Sequence, residues 1–215
     1  MSARTTRTRL TRPAAGALAA AVAVTLAVTT AGTAGAEGVR AAAPAFLEPS
    51  ELPPHPGGWR AGPVEPGLPE GGVPCVVAAV LDGQEDRAAH RRFFTDLDTG
   101  ADQVTLTAAG EAQAAALVRA AERSLRGCAA RVVQQEPRAK AEMRDFGAVN
   151  AGDGGRVLGM QSVHPQSSWD INLFAVGRSG TKVTLVHWGR MGRWADAPVP
   201  AFKKTTATAL ARLGR

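Results

Sequence analysis

Residues 169–188 have the sequence WDINLFAVGRSGTKVTLVHW, in which two largely apolar segments, 169–176 and 181–188, flank Gly177-Arg178-Ser179-Gly180. Apolar and polar side chains alternate along much of both segments, and glycines begin and end the connection between them, which is typical of a β-hairpin. The hairpin predicts an antiparallel sheet as the framework of the fold.

Outside this hairpin, the chain is predicted to form further strands and two amphipathic helices. The longer helix is predicted for residues 108–126, where apolar side chains recur every three or four positions, and the second for residues 200–213. The further strands are predicted at residues 75–81, 92–97, 103–106, 131–135, 141–149 and 156–163. Successive strands with two one-faced helices predict an α+β fold, in which an antiparallel sheet is covered on one side by two helices.

The first 36 residues have the composition of a secretory signal peptide. Four arginines precede an apolar run of about 15 residues, and Ala34-Gly35-Ala36 suits cleavage by signal peptidase before Glu37. An uncleaved membrane anchor is the alternative, although a helix needs about 20 apolar residues to cross a bilayer. We therefore expect a mature protein that is secreted to the extracellular space and has no membrane span.

Residues 37–74 form a proline-rich segment that follows the predicted signal peptide. Its nine prolines disfavour helices and central strands. It also contains the apolar residues Phe46, Leu47, Leu52 and Trp59, which are not expected in a linker that is surrounded by water. We expect this segment to be an extended arm laid against a single α+β domain that spans residues 75–215.

The charge balance argues against a nucleic-acid partner. The whole chain has 25 Lys and Arg against 19 Asp and Glu, a formal charge of +6, but four of the arginines lie in residues 1–36. The remaining 179 residues carry 21 basic against 19 acidic side chains, which is too weak a balance for the basic surface that a phosphate backbone requires.

The chain has two cysteines, Cys75 and Cys128. In an oxidising extracellular compartment they have only each other as disulfide partners, with two free buried thiols as the alternative. Cys128 ends the apolar stripe of the longer helix. The disulfide is therefore expected to tie that helix to the strand predicted at residues 75–81.

Candidate ligand-binding residues lie near the open end of the predicted hairpin. A turn centred on residues 178 and 179 places Trp169 opposite Trp188 and Asp170 opposite His187. We predict a ligand site around Trp169, Trp188, His187 and Arg190, because indole rings stack on sugars and drug-like molecules and a guanidinium group binds anions. Asp170 and His187 also resemble an acid–base couple, although no Gly-x-Ser-x-Gly motif accompanies them.

The histidines do not have the spacing of metal ligands. The four in the chain are scattered, without a His-x-x-x-His or Cys/His motif. We therefore expect neither a metal site nor another cofactor.

Several features occur together in one known family. They are Leu52-Pro53-Pro54 and Gly57-Gly58-Trp59 in the arm, a cysteine at the end of an alanine-rich helix, a late hairpin, and a final helix ending in ALARL at residues 209–213. Together they resemble the secreted sensor-like domains of actinobacteria, a family that includes the extracellular domain of the receptor kinase PknH. The resemblance covers residues 45–215. It implies an antiparallel sheet with helices around a cleft that binds an extracellular ligand without catalysis.

The sequence thus predicts a secreted, non-catalytic binding module for an extracellular small molecule or cell-envelope component. Two alternatives belong to other functional classes. One is a secreted protein-interaction or inhibitor protein that presents an exposed loop such as residues 151–155 to an extracellular protein. The other is a hydrolase that uses His187 and Asp170.

Export predicts a defined N-terminus. Protein recovered from the culture medium should begin at Glu37 and contain no free thiol, which intact-mass measurement and thiol titration would check. Intact protein that remains in the cytosol with residues 1–36 attached and both cysteines reduced would contradict this prediction.

Overall fold

Seven strands and three α-helices make up the fold of residues 46–214, the part of the chain that the structure, a computed structural model, describes. In chain order they are β1 (Arg60–Pro66), β2 (Ala88–Phe94), β3 (Gly100–Thr107), α1 (Glu111–Arg126), α2 (Cys128–Gln135), β4 (Lys140–Val149), β5 (Gly155–Val163), β6 (Trp169–Ser179), β7 (Lys182–Met191) and α3 (Val199–Leu213). The predicted signal peptide, residues 1–36, lies outside the described residues.

All seven strands belong to one antiparallel sheet, in the order β1-β2-β3-β7-β6-β5-β4. The sheet confirms the predicted α+β class, and the predicted central hairpin corresponds to β6 and β7. None of the helices between residues 46 and 214 combines the length and the hydropathy that crossing a membrane requires.

The central strands are apolar on both faces of the sheet. Leu173 and Ala175 of β6 pack with α3, whereas Phe174 and Val176 pack with α1 and α2. We call these two surfaces the α3 face and the α1 face. The helices therefore cover both sides of the sheet and not one side as predicted, because each face carries apolar side chains that must be removed from water.

The proline-rich segment packs on the α3 face and extends the sheet. Leu47 and Leu52 are buried in the apolar cluster of that face, and Phe46 is also buried. The Leu47 N–H donates to Oε1 of the fully buried Gln103 at 2.8 Å, and the Leu47 carbonyl accepts from Arg91 Nη1 at 2.9 Å. Further along, β1 forms an edge strand, a position that tolerates proline because its missing N–H is not needed for pairing.

Residues 75–81 do not form the predicted strand. Cys75 has a φ of +64°, outside the β region, and only a single 3-10 turn follows it. The Cys75 carbonyl accepts hydrogen bonds from Ser124 Oγ at 3.0 Å and from Arg131 Nη2 at 2.7 Å. Val77 is 41% exposed. The segment therefore covers the junction of α1 and α2 and is not part of the sheet.

Residues 131–135, also predicted as a strand, belong to helix α2. Helical hydrogen bonds continue across the glycine that separates the two helices, from Gly127 N–H to the Arg123 carbonyl and from Arg131 N–H to the Gly127 carbonyl, both at 3.2 Å. Val132 packs against the apolar cluster of the α1 face. A short apolar run fits a strand or a helix equally well, and here packing against the sheet selects the helix.

The connection of the central hairpin is shorter than predicted. Ser179 pairs with Lys182, which leaves Gly180 and Thr181 as a two-residue turn with a φ of +57° at Gly180. Gly177 lies inside β6, where a Cβ atom would approach Leu210 Cδ2 to 2.7 Å. This glycine is therefore required by the close approach of α3 and not by the turn.

The disulfide between Cys75 and Cys128 is confirmed, with the two Cα atoms 5.3 Å apart. It joins the first residue of α2 to the segment that covers the α1–α2 junction. The disulfide thereby attaches residues 75–81, which have no strand pairing, covalently to α2.

Removing the disulfide should lower stability markedly. The closed loop of about 54 residues corresponds to about 4 kcal/mol of loop entropy in the unfolded chain, an upper figure that native-state strain would reduce. The double variant Cys75→Ser/Cys128→Ser should therefore melt well below the parent under oxidising conditions, as measured by circular dichroism. An unchanged melting temperature would contradict a structural role for the disulfide.

Candidate functional site

The α1 face changes from apolar to polar toward one end of the sheet. Leu158, Phe174 and Val176 lie in the cluster that the helices bury. The same face continues with Asp102, Asp170, Asn172 and His187, which are half-buried and lie outside that cluster. Polar groups at this end of the sheet are accessible to a ligand.

His187 is held by polar contacts at both ring nitrogens. Nδ1 lies 3.4 Å from Asp102 Oδ2, and Nε2 lies 2.9 Å from Asn172 Oδ1. The ring also stacks on Phe174, with the centroids 5.3 Å apart and an interplanar angle of 21°.

Adjacent strands bring these residues together. Asp102 of β3 and Phe174 of β6 are the direct cross-strand neighbours of His187 on β7. Asn172 pairs with Gly189, where a Cβ atom would come within 2.6 Å of Asn172 Oδ1 and 3.1 Å of His187 Nε2. The glycine therefore leaves the space in which the Asn172–His187 contact forms.

The environment of Asp102 favours its ionised form. Burial by itself raises the pKa of this carboxyl, but the hydrogen bond and charge of His187, together with Arg92 at 3.3 Å, outweigh burial and hold the pKa below its usual value. Asp102 is thus the negatively charged partner of His187.

A cavity of about 370 Å³ opens beside this network. Its polar lining includes Asp98, Ser162, Asp170 and Asn172, and two thioether side chains, Met160 and Met191, contribute apolar surface. His164 and Arg190 complete the lining. Asn172 is shared with the His187 network, so the network fixes one wall of the cavity.

The structure separates the four predicted ligand-binding residues. Trp188 is 3% exposed and lies opposite Leu173 in the core of the α3 face, whereas the neighbouring His187 points to the α1 face. The Arg193 guanidinium group lies 4.5 Å from the centroid of the Trp169 ring. Of the four predicted residues, Arg190 lines the cavity. His187 does not line it but contacts Asn172, which does.

The predicted pairing of Asp170 with His187 is wrong. Asp170 pairs with Met191, and the carboxylate beside His187 is that of Asp102. The register differs from the predicted one by an even number of residues, so each side chain keeps its predicted face but acquires a different partner.

Sequence reasoning missed Asp98, Asp102 and Asn172. Asn172 and Asp170 interrupt the apolar alternation of β6 at two successive positions of one face, which is a signal for a polar patch on that face. Asp98 lies in the turn between β2 and β3, and Asp102 lies on β3. A single sequence does not indicate that this hairpin lies beside β7.

No protein-family model matches the chain, and no curated protein is significantly similar to it. Among residues 46–214, no group of three or more His, Cys, Asp or Glu side chains is arranged to hold a metal ion.

Replacing Asp102 should reduce stability in a pH-dependent manner. The folded pKa is lower than the usual value of about 3.9, so the ionised carboxylate stabilises the fold above about pH 4 and loses this effect as the pH falls through the folded pKa. Asp102→Asn should lower the free energy of unfolding at pH 7 by about 1–3 kcal/mol, measured by urea denaturation.

The control for this experiment is Asp86→Asn, which changes an exposed carboxylate in the segment before β2. The difference between Asp102→Asn and the parent should shrink as the pH is lowered below about 4. A difference that is the same at every pH would show that the Asp102 charge is not its cause.

Proposed function

We propose that this protein is a secreted, non-catalytic binding protein for an extracellular small molecule or cell-envelope component, with its ligand site in the cavity beside Asp170 and Asn172. The observation that carries the proposal is the cavity itself. It opens at the polar end of a sheet face whose remainder is apolar core, and polar side chains line it. Ligand sites are typically concavities of about 300–1,000 Å³ with a few placed polar groups.

The arrangement around His187 supports binding over hydrolysis. Both ring nitrogens contact oxygen atoms of the protein, so neither is directed at a hydroxyl nucleophile. Ser167, two residues before the start of β6, donates its hydroxyl to the Ser168 carbonyl at 3.3 Å. His187 thus has the contacts of a residue that positions Asn172.

Secretion is supported by the disulfide and by the signal-peptide pattern of the sequence. Disulfides persist in oxidising compartments and are rare in the cytosol. Both cysteines of the chain are used in the single disulfide.

The protein-interaction alternative has less structural support. Residues 151–155 comprise most of the turn after β4 and the first residue of β5. Asp153 Oδ2 in this turn accepts hydrogen bonds from Arg178 Nη1 at 2.7 Å and from Gly180 N–H at 2.8 Å. The loop is thus tied to the turn of the central hairpin, and its acidic side chain is already paired.

Filling the cavity should abolish ligand binding without disrupting the core. Met191 lines the cavity and is 51% exposed, so Met191→Trp adds bulk at the entrance. Protein recovered from the culture medium would be screened by thermal shift against cell-wall fragments, lipids, sugars and amines. A ligand at about 100 times its Kd should raise the parent melting temperature by roughly 5–10 °C and leave Met191→Trp unaffected.

Val64→Trp is the matched control, because Val64 is a similarly exposed apolar residue on the edge strand β1. Its response should equal that of the parent. If no compound distinguishes Met191→Trp from the control, the cavity is not a ligand site. If a protein from the medium binds all three forms equally, the interaction alternative replaces this proposal.

A further inference from the structure

We infer that the ligand of this cavity carries a protonated amine, which the carboxylates of Asp170 and Asp98 bind. The inference rests on the proposed function, since it names the chemistry of the molecule that occupies the proposed site. It depends on the carboxylates that line the cavity and on the interactions that these carboxylates lack within the protein.

Asp170 supplies a half-buried carboxylate without a partner in the protein. It lies on β6 opposite Ser162 and Met191 and lines the cavity. Within residues 46–214, no hydrogen bond or ion pair reaches this carboxylate. A half-buried charge of this kind leaves its acceptor positions to water or to a ligand with hydrogen-bond donors.

Asp98 adds a second negative charge to the same cavity. Its Oδ2 accepts a hydrogen bond from the Met191 backbone N–H at 2.8 Å, which fixes the β2–β3 hairpin beside the end of β7. Oδ1 has no hydrogen-bonding partner in residues 46–214. The carboxylate is therefore oriented by one oxygen and has the other available.

No positive side chain of the described residues forms an ion pair with the carboxylate of Asp98 or with that of Asp170. Arg190 lines the cavity, but its Nε donates to the Met191 carbonyl at 3.0 Å. Arg190 is paired with Ile171, a residue of the α3 face, whereas Asp170 lies on the α1 face. The lining thus carries two carboxylates against one guanidinium group, that of Arg190, which makes it net negative and favours a cationic ligand.

The remaining lining suits an aliphatic amine. Ser162 is 4% exposed and its hydroxyl has no partner among residues 46–214, so it can accept a further N–H. The Met160 and Met191 thioethers provide surface for methylene groups. An ammonium group adds charge–charge attraction to its hydrogen bonds with carboxylates, whereas a neutral hydroxyl supplies hydrogen bonds alone, which favours an amine over an uncharged polyol.

Two probes of equal length test this inference, 1,5-diaminopentane and 1,5-pentanediol. At millimolar concentration the diamine should raise the melting temperature of the parent, and the diol should not. Asp170→Asn keeps the side-chain size and removes the charge, so it should weaken diamine binding at least about tenfold in isothermal titration calorimetry. Asp86→Asn removes an exposed carboxylate of the segment before β2 and should bind the diamine like the parent.

The outcomes separate this inference from the proposed function. If the diamine fails to bind, or binds equally to Asp170→Asn and the parent, the amine assignment is wrong. If an uncharged compound of the wider screen binds and loses its effect in Met191→Trp, the cavity is a ligand site for another chemical class. If no compound that raises the melting temperature of the parent loses this effect in Met191→Trp, both the site and the amine assignment are wrong.

Discussion

Burial of both faces of the β6–β7 hairpin is the constraint on which the rest of the fold depends. Ile171 and Leu173 on one face and Phe174 and Val176 on the other are 0–3% exposed, so neither face can remain in water. One helix and the N-terminal arm cover the α3 face, and two helices cover the α1 face. The irregular segment of residues 75–81, which covers the α1–α2 junction, has no strand pairing, and the disulfide attaches it to α2.

The candidate site lies where this covering stops. Beyond the helices, the alternation of β6 continues outward with Asn172 and Asp170 in place of apolar residues. Since these side chains stand on central strands of a sheet, their positions are fixed by strand pairing and not by loop conformation. The Asp102–His187–Asn172 network adds orientation, because Phe174 supports the ring and the oxygen atoms fix both of its nitrogens.

Two carboxylates on the α1 face, Asp102 and Asp170, have different surroundings. Asp102 contacts His187 and Arg92 inside the protein; these contacts outweigh burial and lower its pKa, so Asp102 is part of the framework. Asp170 has no such partner in the described residues and faces the cavity. The charge of Asp102 is paired within the fold, whereas the charge of Asp170 is the one on which the proposed amine site depends. His187, which lies beside Asp102, contacts Asp102 and Asn172 through its two ring nitrogens.

Local patterns by themselves determined the antiparallel hairpin, most of α1 and α3, and the face on which each β6 and β7 side chain lies, because periodicity and turn-forming glycines act over short range. The disulfide was also determined by the sequence, because the two cysteines have no other partner. The tertiary structure alone decided the hairpin register, the helical state of residues 131–135, the irregular path of residues 75–81 and the pairing of Asp102 with His187. Each of these depends on contacts between segments far apart in sequence: Leu210 requires Gly177 inside β6, and the neighbouring strand β3 brings Asp102 to β7. Such contacts decide between local conformations of similar energy.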